Sequence, residues 1–509
     1  MTHIVRSHDL LLSHHSLTHS INDPHSMAIT NVLFRKSLDR LFNGKAPKKV
    51  AVALSGGPDS MLLTWFLLQC KFEIYAITID HKYRPESSRE ALSVYERVKN
   101  WNLNHIIKSL DYPAGVDPTK LNNFEEIARG KRYEAMAQVC YDKDIPVLFL
   151  GHHRDDQLET FIQRLQGNSS IFGLAGTHKV SPLPISKDLS PTSALFNQTS
   201  QVRILRPFWD YDKQDILETC QLNNIAYVTD PTNKDVSLTR RNYLRHLIND
   251  IIPAKNNQSH SPYLLIDKSQ LIDLHTKCLE FATMFENRAM ALSESLQSSG
   301  LIKEFPALGS LQVKFPRQCL DQTNGIVTSR FLYRILHSYS TLKHYHWAYA
   351  KLERQLIPRI TKFLEQGQSG TFKLTMMNLV FEVTNNIQSE YVPIHIYRCP
   401  ITTKDWPSMQ ETLTVSPEWS EWKLFDSRFW LRARSNRYSG QLSVIPYIHK
   451  KHKQLLHDNL DANKSFDTLP AIKANSGKII AFPTLGAMCS DYGIVYEWRP
   501  KKNRFSYCK

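Results

Sequence analysis

Residues 55–60 read Ser-Gly-Gly-Pro-Asp-Ser and stand between the apolar run 50–54 and a longer apolar run, Met61 to Cys70. A short apolar run, a Gly-rich bend and a longer apolar run predict a buried strand, a tight loop and a buried helix. Gly56 and Gly57 let the backbone turn sharply and approach a ligand, and the N–H groups at the start of the helix favour an anion. Ser55 and Ser60 can donate hydroxyls to phosphate oxygens, Pro58 completes the turn, and Asp59 can hold Mg²⁺ against those phosphates. The simpler alternative is a Gly-Pro turn with Ser60 as an N-cap. G-x-G-x-x-G and G-x-x-x-x-G-K-[ST] patterns are both absent, so neither a dinucleotide fold nor a P-loop NTPase is supported.

A second constellation is Gly151-His152-His153-Arg154-Asp155-Asp156-Gln157-Leu158-Glu159-Thr160. A predicted strand ends at Leu150 and a helix begins near Asp156, so Asp156 and Glu159 could serve as a capping box. Two histidines and three acids at one strand end also make a cation site, because an ammonium group leaving water needs paired carboxylates. Metal binding by His152 and His153 is a further alternative.

The elements that would position these groups alternate between short apolar runs and longer helical ones. Predicted strands cover Val50 to Leu54, Glu73 to Ile79, His105 to Leu110, Pro146 to Leu150 and Arg203 to Leu205. Predicted helices cover Ser60 to Cys70, Ser88 to Trp101, Asn123 to Tyr141, Asp156 to Leu165 and Asp212 to Leu222. This is the pattern of an α/β fold, a parallel sheet with flanking helices, in which ligands bind where strands end. Ser181 to Gln201 is Ser/Pro/Thr-rich and reads as an inserted loop. Beyond Pro253, Tyr263 to Leu296 and Val327 to Leu364 read as helical without intervening strands. From Ser369 short alternating runs suggest a small mixed α/β unit. The expected division is an N-terminal extension over 1–46, an α/β catalytic domain over 47–252, a helical domain over 253–367 and a mixed domain over 368–509.

The 509 residues exceed one compact core. A composition of 42% hydrophobic and 22% charged residues is that of a globular chain. The formal net charge of +15 favours a polyanionic partner through counterion release. The eight cysteines are scattered without a C-x-x-C, which argues against a zinc ribbon, an iron-sulfur cluster or a disulfide framework. Met61 to Cys70 is the longest apolar stretch and is too short to span a membrane. The first 26 residues hold six histidines and five serines but a single arginine, Arg6, which fits a disordered leader and a mitochondrial signal about equally; Met27 is an alternative start.

Residues 55–60 after a hydrophobic strand resemble the S-G-G-x-D-S signature of the PP-loop ATP pyrophosphatases, which cleave ATP between the α and β phosphates and adenylate a carbonyl oxygen. Six further stretches point to one branch. Asp80-His81-Lys82-Tyr83-Arg84 with Glu86-Ser87 and Glu90-Ala91 is similar to the D-H-G-x-R-x-x-S-x-x-E-A segment of the tRNA(Ile)-lysidine synthetases, with Lys82 where that family has glycine. Glu126-Ile127-Ala128-Arg129 with Arg132-Tyr133 is similar to its E-x-A-R-x-x-R-Y helix, or is an amphipathic helix with a basic face. Residues 152–160 resemble its H-H-x-D-D-x-x-E-T motif. Gly173-Leu174-Ala175-Gly176, Arg206-Pro207-Phe208 and Asp230-Pro231-Thr232-Asn233 with Arg241-Asn242 and Arg245 follow in the family's order, and one extra residue leaves open whether Arg240 or Arg241 takes the matching place. The likeness covers about residues 48–250; Leu469-Pro470 and Ile479 to Pro483 are loosely similar to the family's ending.

The resemblance implies an ATP- and Mg²⁺-dependent ligase that attaches L-lysine to C2 of the wobble cytidine of a CAU-anticodon tRNA(Ile). It implies ATP binding by Ser55, Gly56, Gly57, Pro58, Asp59, Ser60 and His153, with Mg²⁺ on Asp59. Lysine falls to Asp156 and Glu159, which with Asp59 form the catalytic set. Arg84, Arg129, Arg132, Arg206, Arg241 and Arg245 are expected to meet tRNA or phosphate. A thiolating PP-loop tRNA modifier and a non-catalytic RNA-binding relative are the alternatives. A homodimer is admitted, no membrane partner is expected, and location would be mitochondrial in a eukaryote and cytoplasmic otherwise. The stretch Leu424 to Trp430 offers aromatics beside Arg428 for RNA, or is an amphipathic strand.

Overall fold

The computed structural model describes residues 28–505 except 43, 45, 83–85, 113–123, 185–189, 193–201, 229–235, 237–238, 257–266, 343–344, 403, 457–466, 490–491 and 504. The first 27 residues, Arg84 and 230–233 therefore lie outside the described residues, as does most of the Ser/Pro/Thr-rich loop.

Six strands form the first sheet: β1 (Lys49–Ala53), β2 (Glu73–Asp80), β3 (Asn104–Ser109), β4 (Val147–Phe149), β5 (Val180–Pro182) and β6 (Arg203–Leu205). Their order is β3-β2-β1-β4-β6-β5, parallel except where β5 runs against β6. Val50, Ala51, Val52, Val147, Leu148 and Phe149 are fully buried, as strands covered on both faces must be. The flanking helices are α1 (Asn31–Phe42), α2 (Pro58–Gln69), α3 (Ser87–Val98), α4 (Phe124–Asp142), α5 (Arg154–Gln166), the single turn α6 (Ile171–Leu174), α7 (Lys213–Leu222) and α8 (Arg240–His246). The chain leaves β1 toward β2 on one side while β4 lies on the other. The carboxyl ends of β1 and β4 therefore bound a crevice at the topological switch point, the place where open α/β sheets take ligands.

Helix α1 falls inside the stretch expected to be an extension. Phe34 stacks on Phe66 at 4.6 Å, and Leu38, Leu41 and Phe42 are buried in the core that holds α2 and β1. Residues from about Ile29 onward thus belong to the α/β domain, because their apolar face closes one side of α2.

The region expected to be helical contains α9 (Lys268–Ser298), α10 (Gly325–Ile335) and α11 (Ile357–Glu365), but strands β7 (Ile302–Phe305) and β8 (Ser310–Pro316) stand between them. These join β9 (Gly370–Met376), β10 (Leu379–Asn385) and β11 (Tyr391–Arg398) in an antiparallel sheet of order β7-β8-β11-β10-β9. One core unites Ala289, Leu296, Phe315, Phe331, Phe381 and Ile394 from both helices and sheet. The expected boundary at 367 therefore passes through a single α+β unit, whose strands were hidden in short runs that only long-range pairing defines.

Among the described residues the last region carries eight strands: β12 (Glu411–Val415), β13 (Lys423–Phe425), β14 (Phe429–Ser435), β15 (Gly440–Pro446), β16 (Pro470–Lys473), β17 (Ile479–Phe482), β18 (Ala487–Met488) and β19 (Ile494–Pro500). They form a five-stranded sheet, β12-β15-β16-β17-β18, and a three-stranded one, β13-β14-β19, over a shared core. Its regular structure is mostly strand, with short helical turns such as His449–His452.

Candidate active site

The loop after β1 holds Gly56 at φ +85°, a region open to glycine, and a Cβ there would stand 2.6 Å from Val94 Cγ2. The Gly56 carbonyl accepts from the Val228 N–H at 2.8 Å, which ties residues 225–228 to the loop. Helix α2 begins at Pro58 with Gly57 as its N-cap, and no side chain caps it. Ser60 is therefore inside the first turn rather than at the cap, where its hydroxyl donates to the Gly57 carbonyl at 3.1 Å and accepts from the Ser55 N–H at 3.1 Å. The two serine hydroxyls lie 3.2 Å apart. A helix end without a side-chain cap, preceded by a tight glycine turn, is built to receive an anion.

Asp59 sits in that first turn. Lys213, the first residue of α7, places its Nζ 2.6 and 2.7 Å from the two Asp59 carboxylate oxygens. Among the described residues no cluster of three His, Cys, Asp or Glu side chains could hold a metal ion. A Mg²⁺ at Asp59 would thus rest on this one carboxylate and on the phosphates of a ligand, the usual pattern for that ion, and would displace the Lys213 amine from at least one oxygen.

Across the crevice, Gly151 lies two residues beyond the end of β4, so close that a Cβ on it would stand 3.0 Å from the Asp59 carbonyl carbon and Cβ. His153 is the N-cap of α5, and its N–H donates to Asp156 Oδ2 at 3.1 Å. The helix starts earlier than expected, so Asp156 is the third helical residue and not the cap, and Glu159 takes no part in capping. Glu159 is 1% exposed. Its Oε1 accepts from Arg245 Nε at 2.8 Å and its Oε2 from Arg241 Nε, while Arg241 Nη2 reaches Asp156 Oδ1. Arg241 and Arg245 are carried by α8, capped by Thr239, whose Oγ1 accepts from the Asn242 N–H at 3.1 Å. Arg240 turns away to Gln166, so Arg241 is the one that meets the acids. The carboxylates expected to hold a lysine ammonium thus hold guanidinium groups.

Asp155, the third acid of this run, is 4% exposed. It accepts from the Lys213 N–H at 2.8 Å, pairs with Lys268 Nζ at 2.8 Å and lies 3.4 Å from His153 Nδ1. Burial raises an isolated carboxyl, but His153, Lys268 and the Lys213 N–H overcome it and hold Asp155 well below the ordinary range. Lys268 is the first residue of α9, so the long helix contributes a charge at the edge of this site.

The two histidines behave oppositely. Burial pulls His153 down, yet Asp155, Asp156 and Asp59 together carry it above the ordinary imidazole value; its Nε2 lies 3.5 Å from Asp156 and 3.7 Å from Asp59. His152 is driven by burial to about 3, against the pull of Asp156. It is therefore neutral, and its Nδ1 accepts from Arg206 Nε at 3.0 Å.

Arg206 is 3% exposed and also donates to the His178 carbonyl at 2.6 Å and to Ser181 Oγ at 3.0 Å. Burial lowers it to about 10. Its guanidinium is spent on the strand ends β4 and β5, which makes it a brace rather than the expected free phosphate clamp. Arg129 and Arg132 lie over the Tyr133 ring at 5.1 and 5.5 Å. Arg129 is exposed and Arg132 half-buried. Lys82 keeps a left-handed backbone at φ +46°, pinned by its N–H to Asp80 Oδ1 at 3.0 Å. Arg428 is 1% exposed, paired with Asp426 and bonded to Thr468, so it belongs to the β-rich core rather than to an RNA surface.

Lys213, Asp155 and Lys268 were not singled out in the sequence. Asp155 lay in plain view within the acidic run, and Lys213 follows a strand end and an aspartate cap, which was the available signal.

Residues 30–252 match the family model of a PP-loop domain. Over 486 residues the chain is 24% identical to the probable tRNA(Ile)-lysidine synthase of Schizosaccharomyces pombe, covering 89% of this chain and 94% of that protein. It is 24% identical over 294 residues to the tRNA(Ile)-lysidine synthase of Rickettsia conorii, covering 53% of this chain and 56% of that one. With the Rickettsia akari protein of the same name it shares 30% over 216 residues, covering 42% of this chain and 45% of that one. The chain thus spans about half the length of these two bacterial relatives. The solved structure of the U34-tRNA thiolase NcsA from Methanococcus maripaludis aligns at 16% identity and a TM-score of 0.37, over 49% of this chain and 78% of that one. Residues 30–252 thus match a PP-loop domain, and proteins named tRNA(Ile)-lysidine synthase are what the chain is similar to.

Proposed function

We propose that this protein joins the ε-amine of L-lysine to C2 of the wobble cytidine in a CAU-anticodon tRNA(Ile), consuming ATP. The observation that carries the reading is the meeting of residues 55–60 with residues 151–160 across one crevice, where Gly151 touches Asp59 and His153 Nε2 lies 3.7 Å from it. A nucleotide loop and an acidic amine site side by side are what adenylation followed by amine attack requires.

In the first step the cytidine O2 attacks the α-phosphorus of ATP. An O–P bond forms, the bond to the β-phosphate breaks, and pyrophosphate leaves. In the second, the lysine amine attacks C2, a C–N bond forms and the C–O bond breaks to release AMP. The α2 N-terminus, Ser55 and Ser60 hold the phosphates, and His153 lies beside them. Mg²⁺, when bound, would supply positive charge on the departing pyrophosphate. Asp156 and Glu159 receive the ammonium and take up a proton as it becomes nucleophilic, so the lysine must replace the Arg241 head. Arg241 and Arg245, once displaced, and the exposed Arg129 are placed to meet tRNA phosphates.

The test is incubation with ATP, labelled lysine and a CAU-anticodon tRNA(Ile), followed by measurement of label in RNA. Label that depends on ATP and disappears in Asp59→Ala supports the reading; no label, or label indifferent to Asp59→Ala, sinks it. Among the described residues no helix is long and apolar enough to cross a membrane. In a eukaryotic host a mitochondrial location is proposed, which cell fractionation checks.

A further inference from the structure

We propose that Lys268 is a positioning residue for the proposed ligation: through Asp155 it fixes the His153 ring in the crevice, and it does so from α9, a helix whose far end is built into the α+β core. The inference rests on the ligation reading above and adds to it a residue outside every motif of the resemblance.

Lysine at the first position of a helix works against the helix dipole, so its placement is explained by what the side chain meets. The backbone there is held by a capping box: Asp267 Oδ1 accepts from the Gln270 N–H at 2.8 Å, and Gln270 Oε1 accepts from the Asp267 N–H at 3.0 Å. One turn on, Leu271 is buried with Leu158 and Phe161 of α5, and His275 Nε2 lies 3.2 Å from the Ala175 carbonyl oxygen. Ala289 and Leu296, further along α9, lie in the α+β core. From this seat Lys268 Nζ reaches Asp155 Oδ1 at 2.8 Å and lies 3.4 Å from Asp212 Oδ2. It thereby bridges the first turn of α5 and the N-cap of α7.

Asp155 divides its two oxygens. Oδ1 takes Lys268, while Oδ2 takes the Lys213 N–H at 2.8 Å and stands 3.4 Å from His153 Nδ1. The Nε2 edge of the same ring faces Asp156 at 3.5 Å and Asp59 at 3.7 Å. At such ranges carboxylates orient the ring by charge more than by a firm hydrogen bond, so the ring is only as fixed as Asp155 is. A carboxylate that is 4% exposed keeps its place only while its charge is answered, and removing one partner leaves it to turn away. A shift of that kind is small in distance and large in rate, because adenylation needs its groups aligned.

Lysine incorporation at saturating ATP, lysine and tRNA, with equilibrium binding of ATP alone, compares the full-length chain with Lys268→Met, Lys268→Arg, Asp155→Asn and the double variant carrying Lys268→Met and Asp155→Asn, all well below their Tm. In Lys268→Met kcat is expected to fall by about 10- to 100-fold while the Kd for ATP changes by less than about threefold, since loop 55–60 is untouched. Lys268→Arg keeps the charge and should stay within about threefold of the native kcat. Asp155→Asn should also be slow, and the double variant no slower, because a residue that acts only through Asp155 has nothing left to act on. The double variant leaves no unpaired buried carboxylate, so its comparison with Asp155→Asn holds even where Lys268→Met does not fold. Native kcat in Lys268→Met or Asp155→Asn, including native kcat with a lowered Tm, overturns the positioning role and leaves the ligation reading standing. So does a failure of Lys268→Arg to rescue, or a further loss in the double variant. A native chain that puts no label in RNA overturns both.

Discussion

Gly151 and Asp59 approach so closely across the crevice between β4 and α2 that a methyl group on Gly151 would stand 3.0 Å from the Asp59 carbonyl carbon and Cβ and 3.1 Å from its carbonyl oxygen. The neighbour is mostly backbone at the start of a packed helix, so it cannot turn aside as a flexible side chain would. The contact sets the distance between the anion loop and the acidic motif.

Gly151→Ala is expected to push the two strand ends apart. Overpacking of this kind costs about 1–3 kcal/mol, and a displacement of reacting groups by a fraction of an ångström costs more in rate than in stability. Lysine incorporation should fall by at least about tenfold in protein that still melts cooperatively. Activity equal to that of the native chain would show that the close approach does not matter to the chemistry.

Arg241 occupies Asp156 and Glu159, so a lysine bound there as proposed would compete with it. In Arg241→Ala, lysine should bind more tightly to the free protein while tRNA binds more weakly; dialysis with labelled lysine and filter binding with tRNA read the two separately. Weaker lysine binding would place Arg241 on the same side as the substrate. Glu159→Gln is expected to lose about 1–3 kcal/mol, because it removes the buried negative charge and turns one of the two acceptor oxygens facing the half-exposed guanidinium groups into a donor. It should also raise the KM for lysine far more than the Kd for ATP.

His152 gives the protein an acid-side weakness. Its folded value of about 3 is below that of an unfolded imidazole, so between these values the unfolded chain binds the extra proton and stability is lost as pH falls. At pH 5 this amounts to about 2 kcal/mol. His152→Gln, whose amide oxygen can still accept from Arg206, should lose less stability than the native chain between pH 7 and pH 5 in denaturant melts. His153 has the opposite sign: its folded value is raised, so its contribution is complete below the unfolded imidazole value and is lost as pH rises through the folded one. His153→Gln should therefore show its largest stability deficit at mildly acid pH and a smaller one in alkali.

Lys82 sits at φ +46° without the freedom of glycine. A left-handed conformation costs a side-chain-bearing residue about 1–2 kcal/mol, partly offset by the greater entropy that glycine loses on folding. Lys82→Gly is expected to stabilise by about 0.5–1 kcal/mol and to raise Tm by a few degrees. A fall in Tm would mean that the lysine side chain contributes more than its backbone costs.

Much of the α/β domain was legible in the sequence because its signals are local. The short apolar runs at 50–54 and 146–150, bounded by turn residues, read as buried strands, and a glycine bend between such a strand and a helix offers an anion loop. Residue type and order alone placed Ser55 to Ser60 and His152 to Glu159 at strand ends. What the sequence could not decide were contacts between residues far apart in the chain. Helix α1 became core because Phe34 finds Phe66. Strands β7 and β8 exist because β11, some 80 residues later, pairs with β8. Above all, the partner of each charge was open: Lys213 goes to Asp59 across 154 residues, and Arg241 to Glu159 across 82. Secondary structure follows the period of side chains along one segment, but an ion pair in a crevice depends on where the sheet order brings separate strand ends together, and no local pattern encodes that distance.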